Sequence, residues 1–209
     1  MRLALGLTLA LALAALVALA PAAEAKHHHK ACARKGTHTV KSTRLVRLST
    51  RPNDQGGDDL IGCLRSTDRA QILTSSYDDD YVLSGGYDHL KVAGRFVAWQ
   101  FSATDVSCKA ACPPDYEATT YSLHVRDLRK RKNAGVDGHV ASGGKLVLTR
   151  GGAIAWSDDD PLAIDAFDGA GARTLDTGEG IAVGSLRLHG RRASWTDGAE
   201  THSATLADR

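Results

Sequence analysis

Three stretches of the chain repeat one pattern of hydrophobic and polar positions. Two apolar residues stand two positions apart, a turn containing Gly follows, and an alternating segment ends in Trp. The stretches are residues 90–99, 146–156 and 186–195, and they contain all three Trp of the protein. Alternation places the apolar residues on one face of two successive strands, and Gly permits the tight turn between them. The pattern therefore predicts a β-hairpin in each stretch.

Further segments with a period of two follow each hairpin, and a fourth unit precedes the first one. In this upstream unit, residues 43–48 match residues 94–99, with Leu48 in the place of Trp. Because these large apolar residues recur at one repeat position, we expect them to pack between adjacent units rather than to bind a ligand. The predicted core positions are Leu48, Trp99, Trp156 and Trp195.

The repeat predicts an all-β fold. Units of 40–50 residues with four short strands are typical of propeller blades. We therefore expect a single β-repeat domain over residues 43–209, built as a propeller-like array of about four short antiparallel blades. The alternative is a two-sheet β-sandwich made from the same hairpins. A strand near residues 37–40 would either belong to the first unit or close the ring by joining the last one.

The repeated pattern resembles the TolB-like and WD40-like β-propeller repeats of secreted bacterial proteins. It consists of two apolar residues two apart, Gly-Arg, Val-Ala-Trp, and a following strand such as residues 121–128. The resemblance covers residues 43–209 and implies a β-propeller scaffold. TolB-like domains usually have six or more blades, whereas this chain supplies four. The resemblance implies no particular activity.

The N-terminus has the pattern of a secretory signal peptide. A basic residue, Arg2, precedes the apolar run 3–20, and Pro21 is followed by the small-residue signal Ala-Glu-Ala. Cleavage is predicted after Ala25, which leaves residues 26–42 as a polar N-terminal tail. The other interpretation is a membrane anchor, but the small-residue site favours cleavage. We therefore expect a secreted or cell-envelope protein with no membrane anchoring after cleavage.

The overall charge is nearly balanced. The formal net charge is +2, which does not indicate the strongly basic surface that nucleic-acid binding requires. One basic run, residues 126–132, contains Asp127 and is typical of a strand end with a solvated turn. A protein or a glycan, met by loops on one rim, is the kind of partner that the interaction-module hypothesis expects.

The four Cys allow three disulfide pairings, and export would permit them to form. Cys108 and Cys112 stand close together before two Pro residues, which favours a loop stapled at its base. Cys32 would then pair with Cys63 and fasten the N-terminal tail to the first unit. The alternative is a metal site or a redox pair, but the spacing is C-x3-C rather than C-x2-C, and no His lies nearby.

Two groups of residues are candidate metal ligands. Two runs of three Asp lie in predicted turns, and clustered carboxylates are what Ca²⁺ requires. A free amine with nearby His at the mature N-terminus can bind Cu²⁺ or Ni²⁺ in square-planar geometry. A solvated turn and a polar tail are the plainer interpretations, and no other cofactor is expected. The candidate ligands are Asp78, Asp79, Asp80, Asp158, Asp159, Asp160, His27, His28 and His29.

No catalytic motif stands out in the sequence. It contains neither a G-x-S-x-G elbow nor an H-E-x-x-H zinc motif. The leading hypothesis is a secreted, non-enzymatic β-repeat scaffold that serves as a protein- or glycan-interaction module. One alternative is a small extracellular hydrolase or lyase with its site where the blades converge. Another is an exported Cu/Ni-binding protein that uses the N-terminal His residues.

Overall fold

The computed structural model describes residues 32–78, 83–105 and 119–209. This part of the chain forms four antiparallel β-sheets of three to five strands, which follow one another in sequence order. The predicted all-β fold class is therefore confirmed. Within the described residues, no helix is long and apolar enough to cross a membrane.

Each sheet is built from consecutive strands in their order along the chain. Sheet 1 contains β1 (His38–Ser42), β2 (Val46–Pro52), β3 (Asp58–Leu64) and β4 (Arg69–Ser75). Sheet 2 contains β5 (Tyr77–Asp78), β6 (Leu83–Ala93), β7 (Phe96–Asp105), β8 (Thr119–Asp127) and β9 (Lys132–Asp137).

Sheets 3 and 4 complete the array. Sheet 3 contains β10 (Leu146–Leu148), β11 (Ile154–Asp159), β12 (Leu162–Asp168) and β13 (Gly171–Thr177). Sheet 4 contains β14 (Arg187–His189), β15 (Arg192–Asp197) and β16 (Glu200–Thr205). A short 3-10 helix, Val183–Ser185, precedes β14.

The three repeated stretches form the predicted hairpins, β6–β7, β10–β11 and β14–β15. Their turns contain Gly94, Gly152 and Gly190 at φ angles of +60°, +87° and +63°. Side chains other than Gly rarely adopt this left-handed conformation, so these Gly residues allow the chain to reverse. Local alternation and turn chemistry together explain why the sequence predicts these elements.

The strand near residues 37–40 belongs to the first sheet. It is β1, which pairs with β2 in antiparallel register, His38 opposite Thr50. It therefore does not close a ring with sheet 4. The sheet also begins at His38, inside the range 26–42 that the sequence predicts to be a polar tail, so that boundary is corrected. All five β1 side chains are exposed, so this strand extends the sheet without adding a side chain to the apolar core.

Three clusters of buried apolar side chains join consecutive sheets. The large residue of the repeat lies at less than 4% exposure in every unit. Within the described residues, none of the three clusters joins sheet 4 back to sheet 1. Leu48 and Trp99 lie between sheets 1 and 2, Trp156 between sheets 2 and 3, and Trp195 between sheets 3 and 4.

A disulfide fastens the segment before β1 to the first sheet. Cys32 is bonded to Cys63 in β3, and each residue is 2% exposed. This is the pairing that the sequence favours. The other predicted pair, Cys108 with Cys112, lies outside the described residues.

Candidate functional site

The antiparallel strands send their connections to two opposite rims of the array. The longest described connections, 138–145 and 178–186, lie on one side, which we call the loop rim. The turns of the three repeated hairpins lie on the other side, which we call the turn rim. The loop rim has the described connections 53–57, 138–145, 160–161, 178–186 and 198–199. The turn rim has residues 43–45, 65–68, 94–95, 128–131, 149–153, 169–170, 190–191 and 206–209.

The two rims carry charges of opposite sign. Counting each connection with the adjoining strand ends, the loop rim is mainly acidic and the turn rim mainly basic. The loop rim bears Asp54, Asp58, Asp59, Asp137, Asp158, Asp159, Asp160, Asp176, Glu179, Asp197 and Glu200 against Arg51, Lys145 and Arg187. The turn rim bears Lys41, Arg44, Arg47, Arg65, Arg69, Arg95, Arg126, Arg129, Lys130, Arg131, Lys132, Arg150, Arg191, Arg192 and Arg209 against Asp68, Asp127, Asp168 and Asp208.

On the loop rim, a cluster of polar side chains bridges sheets 3 and 4. Asp176 lies near the end of β13, and its Oδ2 atom accepts a hydrogen bond from Trp195 Nε1 at 2.7 Å. The same oxygen lies 2.7 Å from His202 Nδ1 in β16. Because Trp195 and His202 are opposite each other in β15 and β16, one carboxylate holds a cross-strand pair of the neighbouring sheet.

Two further carboxylates surround the same imidazole. Glu200 Oε2 lies 3.7 Å from His202 Nε2. Asp197 is the last residue of β15. Gly178 and Gly180, in the connection from sheet 3, lie against its carboxylate. A Cβ atom at Gly180 would collide with Asp197 Oδ1, so this close approach requires Gly.

The electrostatic state of the cluster follows from these contacts. The Trp195 N–H and the imidazole of His202 hold the pKa of Asp176 below its usual value. The hydrogen bond to Asp176, with the negative charge of Asp197 and Glu200, raises the pKa of His202. The structure thus favours a carboxylate beside an imidazolium here.

A second His–Asp cluster occupies the loop rim between sheets 2 and 3. His139 Nδ1 lies 3.1 Å from Asp159 Oδ1. Asp158 Oδ2 accepts a hydrogen bond from the His139 backbone N–H at 3.4 Å and lies 3.5 Å from Trp156 Nε1. The ring of Tyr121, which is 37% exposed, lies 4.2 Å from that of His139. Part of the predicted acidic run is therefore joined to a His.

Sequence reasoning missed His139, Asp176, Asp197 and His202. Both clusters share one local signal, a Trp followed two positions later by Asp, which occurs at Trp156 and again at Trp195. Their remaining members come from neighbouring strands and sheets, so no spacing along the chain brings them together.

Sheet 2 has a Trp–His pair without a carboxylate. The rings of Trp99 and His124 stack with centroids 5.3 Å apart. Trp99 Nε1 and His124 Nδ1 are buried and have no hydrogen-bond partner. Burial lowers the pKa of His124, and its Nε2 atom lies 3.0 Å from Ser122 Oγ.

The hydrolase alternative needs a nucleophile, a base and an orienting carboxylate in one place. Ser122 and His124 form a hydroxyl–imidazole pair, but no carboxylate meets the second nitrogen of the ring. Asp176 and His202 form a carboxylate–imidazole pair, but no hydroxyl is hydrogen-bonded to that imidazole within the described residues. Within the described residues, neither pair is therefore completed by the third component.

Several predicted site residues lie elsewhere. Asp78 ends β5, and Asp160 lies in the turn after β11. The other candidate ligands and the second Cys pair lie outside the described residues. They are Asp79, Asp80, His27, His28, His29, Cys108 and Cys112.

On the turn rim, a cleft of about 180 Å³ opens between sheets 2 and 3. Phe96 and Val125 supply an apolar wall. Lys130, Lys132 and Arg209 stand around it. Asp127, which also lines the cleft, is paired with Arg95 through a 3.0 Å contact. The basic run predicted as a strand end and turn thus borders an amphipathic cleft.

No protein family matches the chain, and no curated protein matches it. Among solved structures, it is similar to TolB from Acinetobacter baumannii, with a TM-score of 0.31 and 15% sequence identity. The similarity covers 84% of this chain and 46% of that chain, so this chain spans less than half of that protein's length. This is a weak resemblance in fold.

Proposed function

We propose that this protein is an exported β-repeat scaffold that binds a protein partner through its loop rim. The observation that carries the proposal is the separation of charge between the rims. Strands packed through three apolar clusters hold the loop-rim carboxylates in place. Binding residues commonly lie on loops that a rigid scaffold positions.

The charge on the loop rim points to a partner with a cationic surface. Complementary potentials speed association and select the orientation in which two proteins meet. Tyr121 adds an exposed aromatic ring against His139, whose Nδ1 atom lies 3.1 Å from the carboxylate of Asp159. Aromatic side chains are enriched in protein interfaces, where one end is apolar and the other is wet.

Export is the second part of the proposal. Residues 1–25 have the pattern of a signal peptide, and Cys32 is bonded to Cys63, a bond that persists in oxidising compartments. N-terminal sequencing of the protein recovered outside the cytoplasm should begin at Lys26. Protein retained in the cytoplasm with residues 1–25 intact would contradict this part.

Partner binding is tested by placing a photo-crosslinking amino acid at matched positions on the two rims. Ala199 is exposed in the β15–β16 turn of the loop rim, and Ala170 is exposed in the β12–β13 turn of the turn rim. We expect a protein adduct from position 199 and none from position 170. The adduct should weaken as salt is raised and when Asp159 and Glu200 are changed to Asn and Gln.

The same experiment has outcomes that contradict the proposal. Equal adducts from both positions, or adducts from position 170 alone, would show that the loop rim is not the binding surface. An adduct at position 199 that contains carbohydrate and no protein would replace the protein partner with a glycan.

A further inference from the structure

We propose that Asp176, Asp197 and His202 form a binding site for a divalent transition-metal ion of the zinc type at the junction of sheets 3 and 4. One ligand atom from each residue lies within 4.8 Å of the other two. Imidazole nitrogen and carboxylate oxygen are both ordinary ligands of Zn²⁺. Three protein ligands leave one coordination position for water or for another ligand.

The local charge favours a cation. Asp176, Asp197 and Glu200 surround one imidazole. Within the described residues, no Lys or Arg forms an ion pair with any of the three carboxylates. Even with the imidazole protonated, the cluster therefore keeps an excess of negative charge, which a divalent cation would neutralise.

The Asp197 carboxylate is free to act as a ligand. Asp176 accepts hydrogen bonds from Trp195 and Thr177, but no described residue donates one to the side chain of Asp197. Gly178 and Gly180 carry the connecting chain close to that carboxylate without a side chain that would fill the space beside it. An unengaged carboxylate next to a histidine offers a metal an oxygen that needs no partner to be displaced.

The ligands stand on regular strands rather than on a solvated loop. Asp176 lies in β13, Asp197 in β15 and His202 in β16, so two packed sheets fix their relative positions. The Trp195 N–H holds one oxygen of Asp176 and thereby orients the carboxylate. Such outer contacts commonly hold metal ligands in place and affect affinity 10- to 100-fold.

The cluster of His139, Asp158 and Asp159 makes a natural internal control. It contains the same residue types, but the Oδ1 atom of Asp158 accepts the backbone N–H groups of Asp159 and Asp160 at 2.8 and 3.2 Å. Its Oδ2 atom accepts the backbone N–H of His139. The two oxygens of Asp159 are engaged as well. This cluster therefore has no unengaged carboxylate, in contrast to the site that contains Asp197.

The test uses metal-stripped protein with residues 26–209 intact, titrated with ZnCl₂ in a calorimeter and in thermal melts. We expect one site and a rise in Tm that grows with zinc concentration, since an ion bound by the folded state stabilises it. His202→Ala and Asp197→Asn should each weaken zinc binding at least tenfold. His139→Ala and Asp159→Asn should leave it unchanged.

Asp197→Asn is the decisive variant because no described hydrogen bond to the Asp197 side chain is lost, so this variant is expected to fold. Unchanged zinc affinity in Asp197→Asn would overturn the proposal. Loss of binding on replacing His27, His28 and His29 with Ala, with Asp197 intact, would place the site in the tail instead. An equal Tm shift with CaCl₂ would also overturn it, because a hard cation does not select the imidazole.

Discussion

The Trp–His pair of sheet 2 and that of sheet 4 occupy the same place in the repeat but differ in their surroundings. Trp99 is opposite His124 across β7 and β8, and Trp195 is opposite His202 across β15 and β16. In sheet 2, the indole N–H and one imidazole nitrogen are buried without partners. In sheet 4, both corresponding nitrogens meet the carboxylate of Asp176.

The difference shows how one repeat can serve two purposes. In sheet 2, the neighbouring sheet presents apolar side chains such as Leu48 and Leu60, and the Trp99 ring completes an apolar junction. In sheet 4, the neighbouring sheet also presents a carboxylate, and the junction becomes polar at the loop rim. The cross-strand Trp–His pair is the same in both sheets, and Asp176 makes the junction of sheets 3 and 4 polar.

The largest expected effect is on the apolar junction. Trp99→Ala should lower the free energy of unfolding by about 3–5 kcal/mol, because it empties a site that is 1% exposed between sheets 1 and 2. Urea unfolding followed by far-UV circular dichroism measures this change. Tyr121→Ala, at a position 37% exposed, should cost much less. Equal costs for the two variants would contradict the packing role of Trp99.

The next effect concerns the carboxylate of the polar junction. Asp176→Ala should cost about 1–3 kcal/mol, because the buried N–H of Trp195 loses its acceptor. The matched control is Asp137→Ala, at the end of β9 in sheet 2, where the side chain is exposed. That control should change stability by about 0.5 kcal/mol or less in the same urea titration. A cost for Asp176→Ala no larger than the control would remove the distinction between the junctions.

A smaller difference separates the two indole N–H groups. Both Trp→Phe changes reduce ring volume, but only Trp195→Phe also removes a hydrogen bond to a carboxylate. We expect Trp195→Phe to cost about 1–2 kcal/mol more than Trp99→Phe, because Trp99 Nε1 has no acceptor to lose. Parallel denaturant titrations give the difference directly. A larger cost for Trp99→Phe would indicate that the indole N–H in sheet 2 does have a partner.

The smallest effects appear in the pH dependence of stability, and they have opposite signs. Burial lowers the pKa of His124 in the folded state. The contribution of His124 to the free energy of unfolding is therefore present above the ordinary histidine pKa and is lost as pH falls. Asp176 raises the pKa of His202 in the folded state. The contribution of His202 to the free energy of unfolding is therefore present below the ordinary histidine pKa and is lost as pH rises through the pKa of the folded state.

Gln at either position isolates the two effects in metal-free protein. His124→Gln should remove part of the loss of stability on the acid side of about pH 6.5, and His202→Gln part of the loss on the alkaline side. Unfolding titrations across this range measure both. Identical pH profiles for the two variants would contradict the assignment.

The sequence predicts the parts of the structure that depend on neighbouring residues in the chain. Alternation and Gly turns define the hairpins because both act within about ten residues. The contacts of Asp176 escape this reasoning, since 19 and 26 residues separate it from Trp195 and His202 and the contact crosses between sheets. His139 meets Asp159 across 20 residues for the same reason.

The charge of the molecule is the other feature that sequence composition conceals. A formal net charge of +2 predicts a mixed surface. Because the strands reverse direction, their acidic ends lie on the loop rim and the basic turns on the other side. The run 126–132 contributes the four exposed basic residues 129–132 to the turn rim, and its single acid, Asp127, is paired with Arg95. Only the topology separates the two sets.

The most direct test of the difference between the two junctions is an NMR titration of the histidine side chains in metal-free wild-type protein. The resonances of His124 and His202 are assigned from their single Gln variants. We predict that His202 titrates above the ordinary histidine value of about 6.5 and His124 below it. Titration of both residues on the same side of that value would contradict the account, because Asp176 would then not distinguish the two pairs.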